Sequence, residues 1–247
     1  MAQVSAWDVL WFASLTAIAT GLGALPFALT RGLTRRLLGI ANALASGLML
    51  GASFGLLQEG LDVGLSRVML GALIGLGFIV WTKSRLDADE ELTLGALRGV
   101  DARKALLIVG VMTVHSFTEG VGVGVSFGGG EALGLFVTIA IAVHNIPEGL
   151  AISLVLIPRG VATWKAAGWS VFSSLPQPLM AVPAFLLVET FRPVLPVGLG
   201  FAAGAMLWMV FSELIPEAIG DASRNTVAVT VTIATLAMIA FQVLLRG

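Results

Sequence analysis

Two phrases carry the chemistry of this chain: His115-Ser116-Phe117-Thr118-Glu119-Gly120 and His144-Asn145-Ile146-Pro147-Glu148-Gly149. Between them they hold both of its 2 histidines. In each, an imidazole stands four residues before a carboxylate, so on a helix the two side chains share one face. An imidazole nitrogen beside a carboxylate oxygen can ligate a transition-metal ion or pass a proton. Both phrases sit inside long apolar runs, where ionisable groups are costly and mark ion or proton pathways. A costly pair that occurs twice points to function rather than accident, and to a metal path through a membrane.

Composition sets the elements that must hold these groups. The chain is 57% hydrophobic and 12% charged, with a mean hydropathy of +0.97, beyond what a soluble domain can bury. The pattern predicts an all-α membrane protein with eight spans at about 5–29, 37–57, 64–82, 104–127, 132–157, 164–189, 195–216 and 225–245. The 30 glycines suit closely packed membrane helices, as in Gly47-Leu48-Met49-Leu50-Gly51. There is no cysteine, which removes disulfides and thiolate ligands. Basic stretches suited to nucleic acid are absent. The whole of residues 1–247 reads as a single transmembrane domain, with one sizeable loop at about 83–103 on the cytoplasmic side. That loop carries Asp87, Asp89, Glu90 and Glu91 and reads as a solvated, partly helical segment.

The loops also predict orientation. With the N-terminus outside, the inward loops hold Arg31, Arg35, Arg36, Lys83, Arg85, Arg98, Arg103, Lys104, Arg159, Lys165 and Arg224, leaving Arg67, Arg192 and Arg246 on the outer side. The excess of inward basic residues places both termini outside the cytoplasm. Met1 to Leu29 lacks the basic start and small-residue cleavage site of a signal peptide, and reads as a retained first helix. Trp7, Trp11 and Trp81 fall near span ends, as interfacial aromatic rings do.

The two motif helices form the one internal repeat, with His144 29 residues after His115. Gly128-Gly129-Gly130-Glu131 joins them too tightly for anything but an antiparallel pair, so the repeat is inverted. His115 lies about eleven residues into its span, roughly 16 Å deep at 1.5 Å per residue, and His144 about twelve residues, roughly 18 Å, from the opposite face. Both motifs therefore meet near the midplane, where transporters place substrate. Pro147 removes a backbone donor three residues after His144, which predicts a kink and a freed Val143 carbonyl beside the site. Other residues have plainer readings when taken singly. Met49 packs a core, Gln177 satisfies backbone freed by Pro176 and Pro178, and Glu213 and Glu217 reach the inner interface.

These residues together resemble the ZIP (Zrt-, Irt-like protein) family of divalent-metal transporters, whose fourth and fifth helices carry His-Asn-x-x-(Glu/Asp)-Gly-type signatures. The likeness extends along most of the chain. Ala45 to Phe54 looks like the family's second helix, Ser173-Ser174-Leu175-Pro176-Gln177-Pro178-Leu179 its sixth, and Ala203 to Ala218 its seventh. The bacterial, GufA-like branch is nearest in character, which implies an integral protein of a bacterial inner (cell) membrane. Eight spans with outer termini is also the family topology. The resemblance implies a first metal site from Met49, His115, Glu119, His144 and Glu148. A second, adjacent site would share the two carboxylates and add Ser116, Asn145 and Gln177. The chain departs from the family at two of these, with Ser116 for Asn and Gln177 for Glu, and it lacks the His-rich loop between spans three and four. A homodimer is implied by the family alone.

Two imidazoles, two carboxylates and a thioether suit Zn²⁺, with Fe²⁺, Mn²⁺, Co²⁺ and Cd²⁺ also compatible as transported substrate, and no resident cofactor is implied. The hard cations Mg²⁺ and Ca²⁺ take all-oxygen cages and fit poorly. Without a cation, Glu119 and Glu148 would repel at low dielectric until one took up a proton, so metal entry is linked to proton release. The sequence-based expectation is therefore inward transport of a divalent transition metal, zinc first, with the motif helices rocking against the rest. No enzyme is expected, and the lipid bilayer and the ion are the partners. Two alternatives remain. An intramembrane metal-dependent enzyme would use the ion to activate water, although His-Glu-x-x-His is missing. A proton-coupled carrier of small solutes would use the His/Glu set as a relay.

Overall fold

A computed structural model describes residues 4–29, 34–61, 64–87, 93–94 and 97–246. The chain is almost wholly helical. Helix α1 (Ala6–Gly21) starts at a capping box, in which Ser5 accepts from the Asp8 amide while the Asp8 carboxylate accepts from the Ser5 amide. It continues through a 3₁₀ turn (Leu22–Ala24) into α2 (Leu25–Leu29). Then come α3 (Arg35–Leu61), α4 (Leu65–Asp87), a hairpin of two-residue strands β1 (Thr93–Leu94) and β2 (Leu97–Arg98), α5 (Gly99–Gly128) and α6 (Glu131–Leu156). The second half holds α7 (Thr163–Ser174), α8 (Pro176–Leu186), the short α9 (Val188–Phe191), α10 (Leu195–Met209), α11 (Ile215–Asp221) and α12 (Arg224–Arg246).

Among the described residues, seven helices are long and apolar enough to cross a membrane: Ala6–Leu29, Arg35–Leu61, Leu65–Leu86, Asp101–Gly128, Glu131–Arg159, Leu195–Asp221 and Arg224–Leu244. The eighth expected span, about 164–189, is divided into α7 and α8, each too short to cross alone. Proline is the cause. Pro176 and Pro178 have no N–H to continue the ladder, while Leu175 keeps right-handed helical angles (φ −58°, ψ −29°), so the ladder breaks without reversing the chain. A second proline effect lies between α10 and α11. There a π-helical turn (Val210–Leu214) precedes Pro216, which sits in the first turn of α11. Helix α6, by contrast, runs through Pro147 unbroken.

The expected loop at 83–103 is shorter than its limits suggest, because α4 persists to Asp87 and α5 begins at Gly99, with the hairpin between. Asp89, Glu90 and Glu91 lie outside the described residues, as does Arg31.

Two glycines bring the site helices together. Both motifs end in one, and each lets a neighbouring backbone lie directly against the motif helix. A Cβ on Gly120 would stand 2.4 Å from the Gln177 carbonyl oxygen of α8, and one on Gly149 would stand 1.7 Å from the Thr20 carbonyl oxygen of α1. Thus α5 packs on α8 and α6 on α1, while α5 and α6 pack on each other across their short turn. The main apolar cluster includes Met49, Met112, Ile152, Met206, Met209 and Leu214, all fully buried or nearly so. The large exposed side chains, among them Trp7, Trp11, Leu73 and Leu236, form the outer surface of the bundle.

Candidate metal centre

Helical spacing and the α5–α6 turn together build the centre. His115 and Glu119 share a face of α5, and His144 and Glu148 share a face of α6. One ligand atom from each of the four lies within 4.8 Å of every other. His115 Nε2 stands 3.0 Å from Glu148 Oε1 and 3.4 Å from Glu119 Oε1, and His144 Nε2 stands 3.4 Å from Glu148 Oε1. The imidazole rings are stacked, with centroids 5.8 Å apart. All four side chains are buried.

Close approach here is not hydrogen bonding. The Nε2 atoms of His115 and His144, Glu119 Oε1 and both Glu148 oxygens are buried without a hydrogen-bond partner. A native interior seldom leaves even one such group unpaired. Imidazole nitrogens and carboxylate oxygens from all four residues, grouped within 4.8 Å of one another, could hold a metal ion.

The remaining candidates separate into three cases. Asn145 and Gln177 are fully buried and linked to the centre. The Gln177 amide donates to Glu119 Oε2 and, at 3.2 Å, to Asn145 Oδ1, while its own oxygen accepts from Asn145 Nδ2 at 3.0 Å. Ser116 is fully buried with an unpartnered hydroxyl. Met49 is fully buried on α3 within the main apolar cluster.

Sequence reasoning missed Thr16 and Thr20. Thr16 Oγ lies 2.6 Å from Gln177 Oε1, and its carbonyl accepts from Asn145 Nδ2 at 2.8 Å. Thr20 Oγ lies 2.7 Å from Ser174 Oγ of α7. The signal was present: two threonines four apart on one face of an apolar helix.

The two ends of α6 differ in whether a cavity reaches the cluster. A cavity of about 270 Å³ reaches His144 past Glu59, Leu133, Phe136, Ile141 and Gln242. The opposite end carries ion pairs beside a second cavity of about 430 Å³, lined by Asp101, Leu154, Arg159 and Glu217 but by none of the four cluster residues. Lys83 meets Glu213 at 2.6 Å, Lys104 meets Glu217 at 2.7 Å, and Arg159 meets Asp101 at 2.7 Å and Glu217 at 3.4 Å. Glu213 and Glu217 therefore do more than reach an interface, since they tie the α10–α11 junction to α4, α5 and the end of α6.

An almost wholly helical bundle with membrane-length apolar helices, and a buried His/Glu cluster that could hold a metal ion, is the architecture of an integral membrane protein. The chain belongs to the ZIP zinc transporter family, whose sequence model matches residues 84–242. It is 36% identical to the zinc transporter GufA of Myxococcus xanthus, over 82% of this chain and 85% of that protein. It is 34% identical to the zinc transporter ZIPB of Bordetella bronchiseptica, over 92% of this chain and 76% of that protein. A protein of Arabidopsis thaliana whose name proposes zinc transport is 49% identical over 99% of this chain. The chain spans only 40% of that plant protein's length.

Proposed function

We propose that this chain moves a divalent transition-metal ion, zinc foremost, across the membrane into the cytoplasm, holding it on the way between His115, Glu119, His144 and Glu148. The observation that carries this reading is the convergence of unpaired, buried imidazole and carboxylate atoms at one point. Membership of a zinc-transporter family supports the same substrate. Fe²⁺, Mn²⁺, Co²⁺ and Cd²⁺ suit the same donor set. Met49 serves as a softer additional ligand, and Ser116, Asn145 and Gln177 border the ion rather than hold a second one.

The ion count follows from charge. Glu119 and Glu148 supply about −2, which balances one dication, while the neighbouring amides and hydroxyl add dipoles only. Topologically, α7 and α8 act together as the eighth span, giving outer termini and an inverted repeat about the motif helices. The cavity beside Glu59 is then the outer approach, and the ion-paired end marked by Arg159 is the closed cytoplasmic side. Rocking of the motif helices would open the second side and close the first.

Purified protein in sealed vesicles, offered a panel of divalent ions, tests the proposal. Accumulation of Zn²⁺ that is lost in Glu148→Ala supports it. Hydrolysis of a membrane substrate, or proton flux indifferent to metal, would replace it with an enzyme or a solute carrier.

A further inference from the structure

The two oxygens of Glu119 have different surroundings. Oε1 is unpartnered and faces His115, whereas Oε2 accepts a hydrogen bond from Gln177. A carboxylate can only accept, so the Gln177 amide must turn its NH₂ toward Glu119 and its oxygen away. That oxygen meets Thr16 Oγ at 2.6 Å and Asn145 Nδ2 at 3.0 Å. Asn145 is held in turn by the Thr16 carbonyl at 2.8 Å. Thr16 therefore fixes both amides, one through its hydroxyl and the other through its backbone. Its hydroxyl has a second acceptor in reach, the Ala13 carbonyl at 2.7 Å, so the interaction with Gln177 is a choice that the side chain can lose. Thr16, Asn145 and Gln177 are all fully buried.

We propose that Thr16 is a positioning residue for the metal centre. Its hydroxyl orients the Gln177 amide, which reserves one Glu119 oxygen and presents the other, singly, to the ion. The clasp also fills with dipoles the ground beside Glu119 where another cation would have to sit. Helix α1 thereby sets the geometry of a site to which it contributes no ligand. This inference rests on the ion site proposed above.

The test is zinc uptake by the full chain in vesicles, with KM and Vmax measured separately. Thr16→Val keeps the shape and removes the donor, so KM should rise by up to about tenfold, the upper end of what one neutral buried hydrogen bond contributes, while Vmax stays within about twofold. Thr16→Ser should restore the wild-type KM. On a Gln177→Ala background, Thr16→Val should add less than about twofold, because the two residues act in series. Unchanged KM in Thr16→Val, a serine variant as weak as valine, or effects that multiply would each overturn the proposal. If Thr16→Val fails to insert, Thr16→Cys, with a far weaker donor, carries the same expectation. Glu148→Ala run alongside separates the two levels. Wild-type uptake in that variant refutes the ion site and this proposal with it. An inactive Glu148→Ala beside an unaffected Thr16→Val refutes the positioning role alone.

Discussion

Changing Gln177 to Glu should convert a one-ion site into a two-ion site, and the structure gives the scale. Gln177 Nε2 lies 2.5 Å from Glu119 Oε2. A carboxylate in its place would set two negative charges at that separation. At an effective dielectric of about 20 the repulsion is roughly 7 kcal/mol, before the side chains relax apart. Two of the present contacts survive the change, because Thr16 Oγ and Asn145 Nδ2 can still donate to a carboxylate oxygen. The two donated by Nε2 are lost. A second dication relieves the repulsion, and the charge of a doubly loaded site falls from about +2 to about +1. The assay is metal per polypeptide in purified protein, measured by elemental analysis after equilibrium dialysis against Zn²⁺. Wild type should plateau at about one ion and Gln177→Glu should approach two, with slower release in uptake experiments. Two ions in the wild-type protein, or one in both, would refute the charge argument.

Other consequences are as open to measurement. His144→Ala and Glu148→Ala should nearly abolish zinc uptake while the protein still inserts and purifies, and wild-type transport in both would remove the site assignment. Zinc affinity should fall as pH falls, because protons compete with the ion for the imidazole nitrogens and carboxylate oxygens. Binding that stays flat to about pH 5 would argue against imidazole ligands. Gly149→Ala should destabilise the protein by about 2 kcal/mol or more, since its Cβ falls on the Thr20 carbonyl and α1 must move away. A melting temperature equal to wild type would contradict that packing. Gly110→Ala, where a Cβ meets nothing within 4 Å, is the control.

The parts of this molecule that show in its sequence are those governed by one helix at a time. The spacing His115-to-Glu119 and His144-to-Glu148 fixes which side chains share a face, and the short turn after α5 brings the two faces together. Apolar length marks seven of the expected spans, because hydrocarbon thickness acts on each helix separately. What escapes is set between elements. The Thr16 hydroxyl reads as an ordinary polar residue in an apolar helix until α8 is laid beside it. Lys83, Lys104 and Arg159 read as loop charges, yet they join the helices at one end of the bundle through Glu213 and Glu217. The division at Leu175 is only half visible: Pro176 and Pro178 announce a broken ladder but not the continuing helical angles between α7 and α8. The motif glycines looked like generic close-packing residues, and their particular neighbours, Gln177 and Thr20, come from the fold alone.

The most direct test of the proposed ion site is anomalous diffraction at the zinc edge from crystals of the wild-type protein grown with Zn²⁺. One dominant peak is expected, enclosed by His115, Glu119, His144 and Glu148, at about 2.0–2.2 Å from the imidazole nitrogens and carboxylate oxygens. A strongest peak elsewhere, such as between Glu213 and Glu217, or two equal peaks flanking Glu119, would contradict it.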